Sequence, residues 1–261
     1  MITEDMTADM TDTKPQTRTA TCDTHGEFES RHIIGKVWTR CPACASEKAD
    51  REAREEAARA RAKRKEDWER KLGHACIPER FRTRTLDRFI ASTPEQREAL
   101  EIAKDYAANF SDVLKTGRCL IFLGKPGTGK THLAVGIGLR IMGAEGRTVL
   151  FTTVMRAIRR VKDSWSRETM ETESDAIETL TSPDLLILDE VGIQTGSEFE
   201  RNILFDILNE RYQRRRPTIV MSNLSKDELA LFLGERVLDR LREDGGRIVA
   251  FTWDSYRARK D

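Results

Sequence analysis

One octapeptide constrains this chain more than any other feature. Residues 124–131 read Gly-Lys-Pro-Gly-Thr-Gly-Lys-Thr, a full match to G-x-x-x-x-G-K-S/T. The apolar run from Cys119 to Leu123 leads in, and His132 to Met142 repeats apolar residues at helical spacing. Strand, glycine-rich loop and helix in that order make a phosphate cradle. Gly124, Gly127 and Gly129 let the loop turn its backbone N–H groups inward. The helix N-terminus adds its positive end. Pro126, Thr128 and His132 complete the stretch. Lys130 is expected to reach the β- and γ-phosphates, and Thr131 to offer its hydroxyl to magnesium. A plain glycine-rich turn is the structural alternative, and the complete motif with its flanks disfavours it.

From about Phe81 onward short, wholly apolar runs alternate with helical patterns. They fall at 119–123, 148–152, 184–188, 218–222 and 247–252. Such runs imply an α/β fold, a parallel sheet covered by helices on both faces. Asp189 closes the third run, where α/β sheets bind ligands, and suits magnesium. Glu190 follows as the natural general base for an attacking water. Asp-Glu after a strand also suits a helix N-cap with a first-turn acid, but the pairing with the phosphate loop favours the first reading. Asn223 ends the fourth run. It can orient the water, or it can be a turn asparagine, and the residues alone leave both open. In 234–242, Val237, Leu238 and Leu241 form an apolar stripe, with Arg236 and Arg240 on the other face. An arginine there can serve a neighbouring subunit as a finger; a surface helix with Asp239 as partner is the plainer reading. Only about forty residues follow Asn223, short for a fifth strand plus a full helical lid. The bound nucleotide is therefore expected to lie open until another copy of the chain covers it.

The chain has 261 residues, enough for one nucleotide-binding domain and a small appendage. Charged residues make up 34% and concentrate before residue 75. The formal net charge of +1 means that any DNA contact must come from local patches. No apolar run is long enough to cross a bilayer, and a cytoplasmic location is expected. Residues 1–20 lack periodicity and read as a disordered tail. In residues 21–45, Cys22-x2-His25 and Cys41-x2-Cys44 stand fifteen residues apart. Three thiolates and an imidazole at these spacings suit a closed, structural zinc site. Unligated cysteines in a disordered tail are the alternative, and Cys76 could replace a ligand. Cys119 reads as core. Residues 46–76 are a charged helix and linker, rich in Ala, Arg, Glu and Lys, with Gly73 as stop and Pro78 as break. Residues 77–261 form the nucleotide-binding domain. Arg156, Arg159, Arg160 and Lys162, with Trp165 nearby, suit single-stranded DNA, or else a solvated helix face with Trp165 in the core.

These motifs together resemble the DnaC family of AAA+ helicase loaders over roughly residues 77–259. The resemblance rests on Gly-Lys-Pro-Gly-Thr-Gly-Lys at 124–130, Leu-Asp-Glu-Val-Gly-Ile-Gln-Thr at 188–195, Leu-Gly-Glu-Arg-Val-Leu-Asp-Arg-Leu at 233–241 and Thr-Trp-Asp-Ser-Tyr-Arg at 252–257. It implies a P-loop AAA+ fold of the additional-strand type: a five-stranded parallel sheet with a strand between the two nucleotide-binding strands. It implies binding of ATP and magnesium, self-association, contact with single-stranded DNA and docking onto a hexameric replicative helicase. By position, Asn223 matches the sensor and Arg240 the trans-acting finger, with Arg236 as second choice. The N-terminus departs from the family's helical docking segment, with the zinc-like knuckle in its place as in some phage-encoded relatives. IstB-type transposition helpers, which act on duplex target DNA with a transposase, have similar ATPase cores and are the alternative.

Overall fold

The structure, a computed structural model, describes residues 16–166, 169–193 and 197–256. Most of the expected tail, residues 1–15, lies outside the described residues, as does Arg257 of the last motif. The chain divides into two compact units between Asp67 and Trp68.

In the first unit, strand β1 (Thr17–Cys22) pairs antiparallel with β2 (Gly26–Ile34), which pairs antiparallel with β3 (Val37–Trp38). Regular structure thus begins inside the stretch expected to be a tail. Thr17, Thr19 and Thr21 alternate along β1, and β-branched residues suit a pleated ribbon. Helix α1 (Pro42–His74) begins in this unit, and its residues from Trp68 onward belong to the second. It begins ahead of the expected 46 because proline is pre-organised for a first helical turn, where its missing N–H is no loss. It runs through Gly73 instead of stopping there. Positions 45–66 are exposed throughout, and its sequence has no wide apolar stripe. Pairs such as Lys48–Glu52, at 3.7 Å, add the small support typical of i,i+4 charges.

The second unit carries α2 (Pro94–Ala108), α3 (Phe110–Thr116), β4 (Leu120–Gly124), α4 (Lys130–Ala144), β5 (Val149–Thr153), α5 (Val154–Asp163), α6 (Glu173–Thr181), β6 (Leu185–Val191), α7 (Glu198–Gln213), β7 (Thr218–Ser222), α8 (Lys226–Leu233), α9 (Glu235–Arg242) and β8 (Arg247–Phe251). The strands lie in the order β5-β6-β7-β4-β8, and every pairing is parallel. Strand β7 therefore separates β4, which leads into the phosphate loop, from β6, which carries Asp189. This is the additional-strand arrangement.

Alternation along each strand splits the core in two. Leu120, Phe122, Ile187 and Met221 face the α2 and α4 side. Ile121, Leu123, Leu186, Leu188 and Val220 face the side of α5 to α9. Helix α4 is apolar nearly all round and largely buried, as a helix covered on two sides must be. A polar clamp stands at the strand ends away from the phosphate loop. The guanidinium of Arg211 on α7, only 1% exposed, donates to Thr218 Oγ1 and to the carbonyls of Leu180, Thr181, Pro183 and Pro217. Burial pulls its pKa down to about 9, so it remains charged at neutral pH with its donors used.

Candidate functional site

The loop after β4 is shaped for anions. Gly124, Gly127 and Gly129 all have positive φ, at 148°, 83° and 100°. A Cβ on Gly124 would lie 2.3 Å from the carbonyl oxygen of Phe251, and one on Gly129 would lie 2.7 Å from the Phe89 ring. Glycine is therefore required at both places by backbone conformation and by space. Helices α2, α5, α6, α7 and α8 have a Thr or Ser side chain bonded to their first turn. Helix α4 has Gly129 at its N-cap and no side-chain cap, which leaves its leading N–H groups to an incoming anion.

Three strand ends bring the polar groups together. Lys130 Nζ donates to Lys125 O at 2.9 Å, to Gly124 O, and to Asn223 Oδ1 at 2.9 Å. Thr131 Oγ1 donates to Asp189 Oδ2 at 3.2 Å. Burial raises the Asp189 pKa, against the lowering influence of the Glu190 N–H, the Thr131 hydroxyl and Lys130. A hydroxyl and a carboxylate adjoining a phosphate loop are the hard oxygen donors that magnesium takes, so the residues fit that ion. Glu190 has φ 62°, and the β6–β7 register shifts between Leu188 and Val191. A left-handed glutamate at the end of a buried strand is backbone strain of the kind held at functional sites.

These residues line one cavity of about 960 Å³, together with Pro126, Gly127 and Gly129. Its cationic groups are Lys130, Arg80, Arg84, Arg88, Arg156 and Arg159; its acids are Asp189 and Glu190. The excess of positive charge focuses polyanions into it. Thr128 is buried behind the loop, its hydroxyl donating to Lys125 O at 2.8 Å. His132 lines the cavity, but its Nε2 donates to Thr85 O at 2.9 Å and its ring packs edge-on to Phe89. Burial lowers its pKa, so it is neutral and ties residues 85–89 to α4.

Two groups of site residues were not legible as such in the sequence. The segment 78–90 supplies Pro78, Phe81, Phe89 and three arginines to the cavity wall. Its only sequence signal is the four-residue spacing of Arg80, Arg84 and Arg88. Trp253 and Tyr256 also reach the loop: Trp253 Nε1 donates to Thr128 O at 2.8 Å, and the Tyr256 N–H donates to Gly127 O at 3.0 Å.

The expected DNA patch does not assemble as one basic groove. Arg156 and Arg159 face the phosphate cavity. Arg160 Nε donates to Glu171 at 2.9 Å, and Lys162 Nζ to Glu200 at 2.8 Å, so acids from neighbouring segments take up these two charges. Trp165 is 47% exposed, not core, and packs edge-on to Phe199. On α9, Val237, Leu238 and Leu241 are buried and Arg236 is exposed. Arg240 donates to Asn209 on α7 and lies over the Tyr212 ring at 5.0 Å. Neither arginine lines the phosphate cavity of its own chain.

The first unit gathers Cys22, His25, Cys41 and Cys44, with all four ligand atoms within 4.8 Å of one another. Cys22 Sγ lies 3.4 Å from Cys44 Sγ, and His25 Nδ1 lies 3.2 Å from Cys44 Sγ and 3.8 Å from Cys41 Sγ. A tetrahedral zinc ion has ligand–ligand edges of about 3.5–3.8 Å, so the four residues fit one. Backbone donation from Thr24 and His25 pulls the Cys22 thiol down to about 6, while Cys22 pushes Cys44 up to about 12. One thiolate among these sulfurs thus opposes a second, and a bound cation would offset that repulsion. His25 Nε2 bonds Glu47 Oε1 at 2.9 Å, the outer carboxylate that orients a ligating imidazole. Cys76 is exposed and outside this group, and Cys119 is buried. No described helix is long and apolar enough to cross a membrane.

Residues 46–261 match the IstB-like ATP binding protein family. The chain is 36% identical over 189 residues to "Replicative helicase loader DnaC" of Buchnera aphidicola subsp. Acyrthosiphon pisum, covering 72% of this chain and 75% of that protein. It is 38% identical over 164 residues to the protein of the same name from Escherichia coli (strain K12), covering 63% and 65%. The solved structure described as "Crystal structure of the DnaC helicase loader" superposes with a TM-score of 0.58 at 27% identity, covering 66% of this chain and 99% of that one. Fold, phosphate loop and relatives agree: the chain belongs to the IstB-like ATP-binding family and, within it, to the DnaC-type AAA+ helicase loaders.

Proposed function

We propose that this chain is an ATP-dependent helicase loader that binds a hexameric replicative helicase and delivers it to single-stranded DNA during replication initiation. The observation that carries the reading is the convergence of Lys130, Thr131, Asp189, Glu190 and Asn223 on one basic cavity, in a chain 36–38% identical to proteins named as such loaders. The loop N–H groups and Lys130 bind the β- and γ-phosphates of ATP. Thr131 and Asp189 hold magnesium, which screens the phosphate charge when bound. Glu190 takes a proton from the attacking water, and Asn223 fixes that water and the position of Lys130. Arg240, with Arg236 as second choice, acts on the nucleotide of a neighbouring copy, so hydrolysis is weak in the isolated chain. The zinc site is structural: four protein ligands leave no open position. Arg156 and Arg159, with the exposed Trp165, remain the residues assigned to single-stranded DNA, and the cytoplasm is the expected location.

The IstB-type helper reading is supported by the family match, but the identity to named helicase loaders favours the loader. Co-purification in ATP and in ADP separates the two. A hexameric helicase retained in ATP and released in ADP is expected; retention of a transposase with no helicase would overturn the proposal.

A further inference from the structure

The phosphate loop is held from behind by the chain beyond β8. A loop that points its N–H groups inward at phosphate must point carbonyls outward, and an outward carbonyl facing protein needs a donor. Two such carbonyls belong to Gly127 and Thr128. Each has a donor from the same five-residue stretch: the Tyr256 N–H to Gly127 O at 3.0 Å, and Trp253 Nε1 to Thr128 O at 2.8 Å. The stretch is itself anchored. Trp253 is half-buried and packs on Phe251 with ring centroids 4.8 Å apart, and Phe251 packs on Phe122 of β4 at 5.2 Å. Phe251 also presses its carbonyl against Gly124. The start and the middle of the loop therefore lean on three residues of one short strap, Phe251, Trp253 and Tyr256.

We infer that Trp253 and Tyr256 are positioning residues for nucleotide binding: their N–H donors hold the carbonyls of Thr128 and Gly127 outward and so pre-form the phosphate cradle. This deepens the ATP-binding reading and rests on it. Neither donor is aimed at nucleotide. They act through the loop, so their loss weakens capture of the phosphates and leaves the groups that perform hydrolysis in place. Pre-organisation of this kind appears in affinity more than in turnover at saturation.

The test uses the full chain and titrates ATP and ADP. Trp253→Phe keeps the stacked ring and removes the donor. Tyr256→Pro removes the backbone N–H, and Tyr256→Ala is its reference, lacking the ring but keeping that donor. A hydrogen bond of ordinary net strength predicts roughly 2- to 10-fold weaker binding of both nucleotides for Trp253→Phe against wild type and for Tyr256→Pro against Tyr256→Ala. KM for ATP should rise in parallel, with kcat at saturating ATP changed less than twofold. Thermal unfolding checks the fold, and the exposed Tyr256 pair carries the test if Trp253→Phe proves unstable. Equal affinities within each pair overturn the inference, as does a fall in kcat with KM unchanged. Wild type that binds no ATP would instead sink the ATP reading itself, and Lys130→Ala, which must lose binding, is the control that separates the two failures.

Discussion

The Lys130 ammonium and the Asn223 side chain are hydrogen-bonded at 2.9 Å across the ends of two adjacent strands, although 93 residues separate them in the chain. The contact exists because β7 lies beside β4. It joins the lysine assigned to the phosphates to the residue assigned to the attacking water, so in the proposed mechanism nucleotide capture and water placement share one linkage. Asn223→Ala is expected to leave ATP binding within a few-fold of wild type and lower hydrolysis about 10-fold or more, measured by equilibrium binding and single-turnover rates.

Binding and hydrolysis separate by mutation. Lys130→Ala removes the cation assigned to the β- and γ-phosphates, and nucleotide binding is expected to be lost. Glu190→Gln leaves the Thr131–Asp189 pair intact, so ATP still binds, while loss of the base cuts turnover by about 10²- to 10⁴-fold. Wild-type turnover in Glu190→Gln would remove Glu190 from the role of base.

Asp189 predicts an opposition between stability and activity. Its folded pKa is raised by burial, so the ionised carboxylate is penalised in the fold. The penalty is absent below the ordinary carboxylate value of about 4 and develops as pH rises through the raised folded value. Asp189→Asn removes the charge and retains a polar partner for Thr131. The variant's unfolding temperature relative to wild type should therefore rise between pH 4 and pH 7.5 while magnesium-dependent hydrolysis is lost. A relative stability that falls over that range would contradict the burial argument.

How much was legible in the sequence depended on whether one residue type decided a position. The five parallel strands are short runs of apolar residues, and Asp189 and Gly124 stand at the ends of theirs. Period and composition suffice there. The family resemblance implied only that one strand lies between the two nucleotide-binding strands; the full order β5-β6-β7-β4-β8 needed the structure, because nothing local in β7 says which strands flank it. The β1–β2 ribbon escaped notice because Thr17 to Cys22 carries no apolar alternation, and its pairing is closed by the Cys22–Gly26 turn. The start of α1 was hidden because Cys44, read as a ligand in a knuckle, lies in its first turns. Arg160 and Lys162 looked like a DNA surface because Glu171 and Glu200, their partners, are 11 and 38 residues away. The roles of Trp253 and Tyr256 could not be read at all, since each depends on a contact about 125 positions distant.

Zinc should be found at about one ion per chain, by the count of four ligands. Glu47→Gln removes the carboxylate behind His25 and should weaken zinc binding by roughly 10-fold or more. Cys22→Ser should release the metal. Competition with a chromophoric chelator measures both. Protein made with zinc present yet carrying no metal would contradict the assignment.

Arg211→Met tests the polar clamp. The substitution keeps much of the volume and strands a hydroxyl and four carbonyls that now accept from one guanidinium. A loss of about 3 kcal/mol or more in unfolding free energy is expected, with the phosphate site unaltered in the folded fraction. A change below about 0.5 kcal/mol would mean that the carbonyls find other donors.

The most direct test of the whole account is a loading assay on circular single-stranded DNA, which has no end for a hexamer to thread. Helicase retained on the circle is measured with ATP and wild-type chain, with Lys130→Ala, with Arg240→Ala, and with the two variants mixed. The account predicts retention with wild type, none with Lys130→Ala, reduced retention with Arg240→Ala and partial recovery in the mixture, since the two defects fall on opposite sides of one shared site. Retention that is equal with Lys130→Ala, or equal with no chain added, would contradict it.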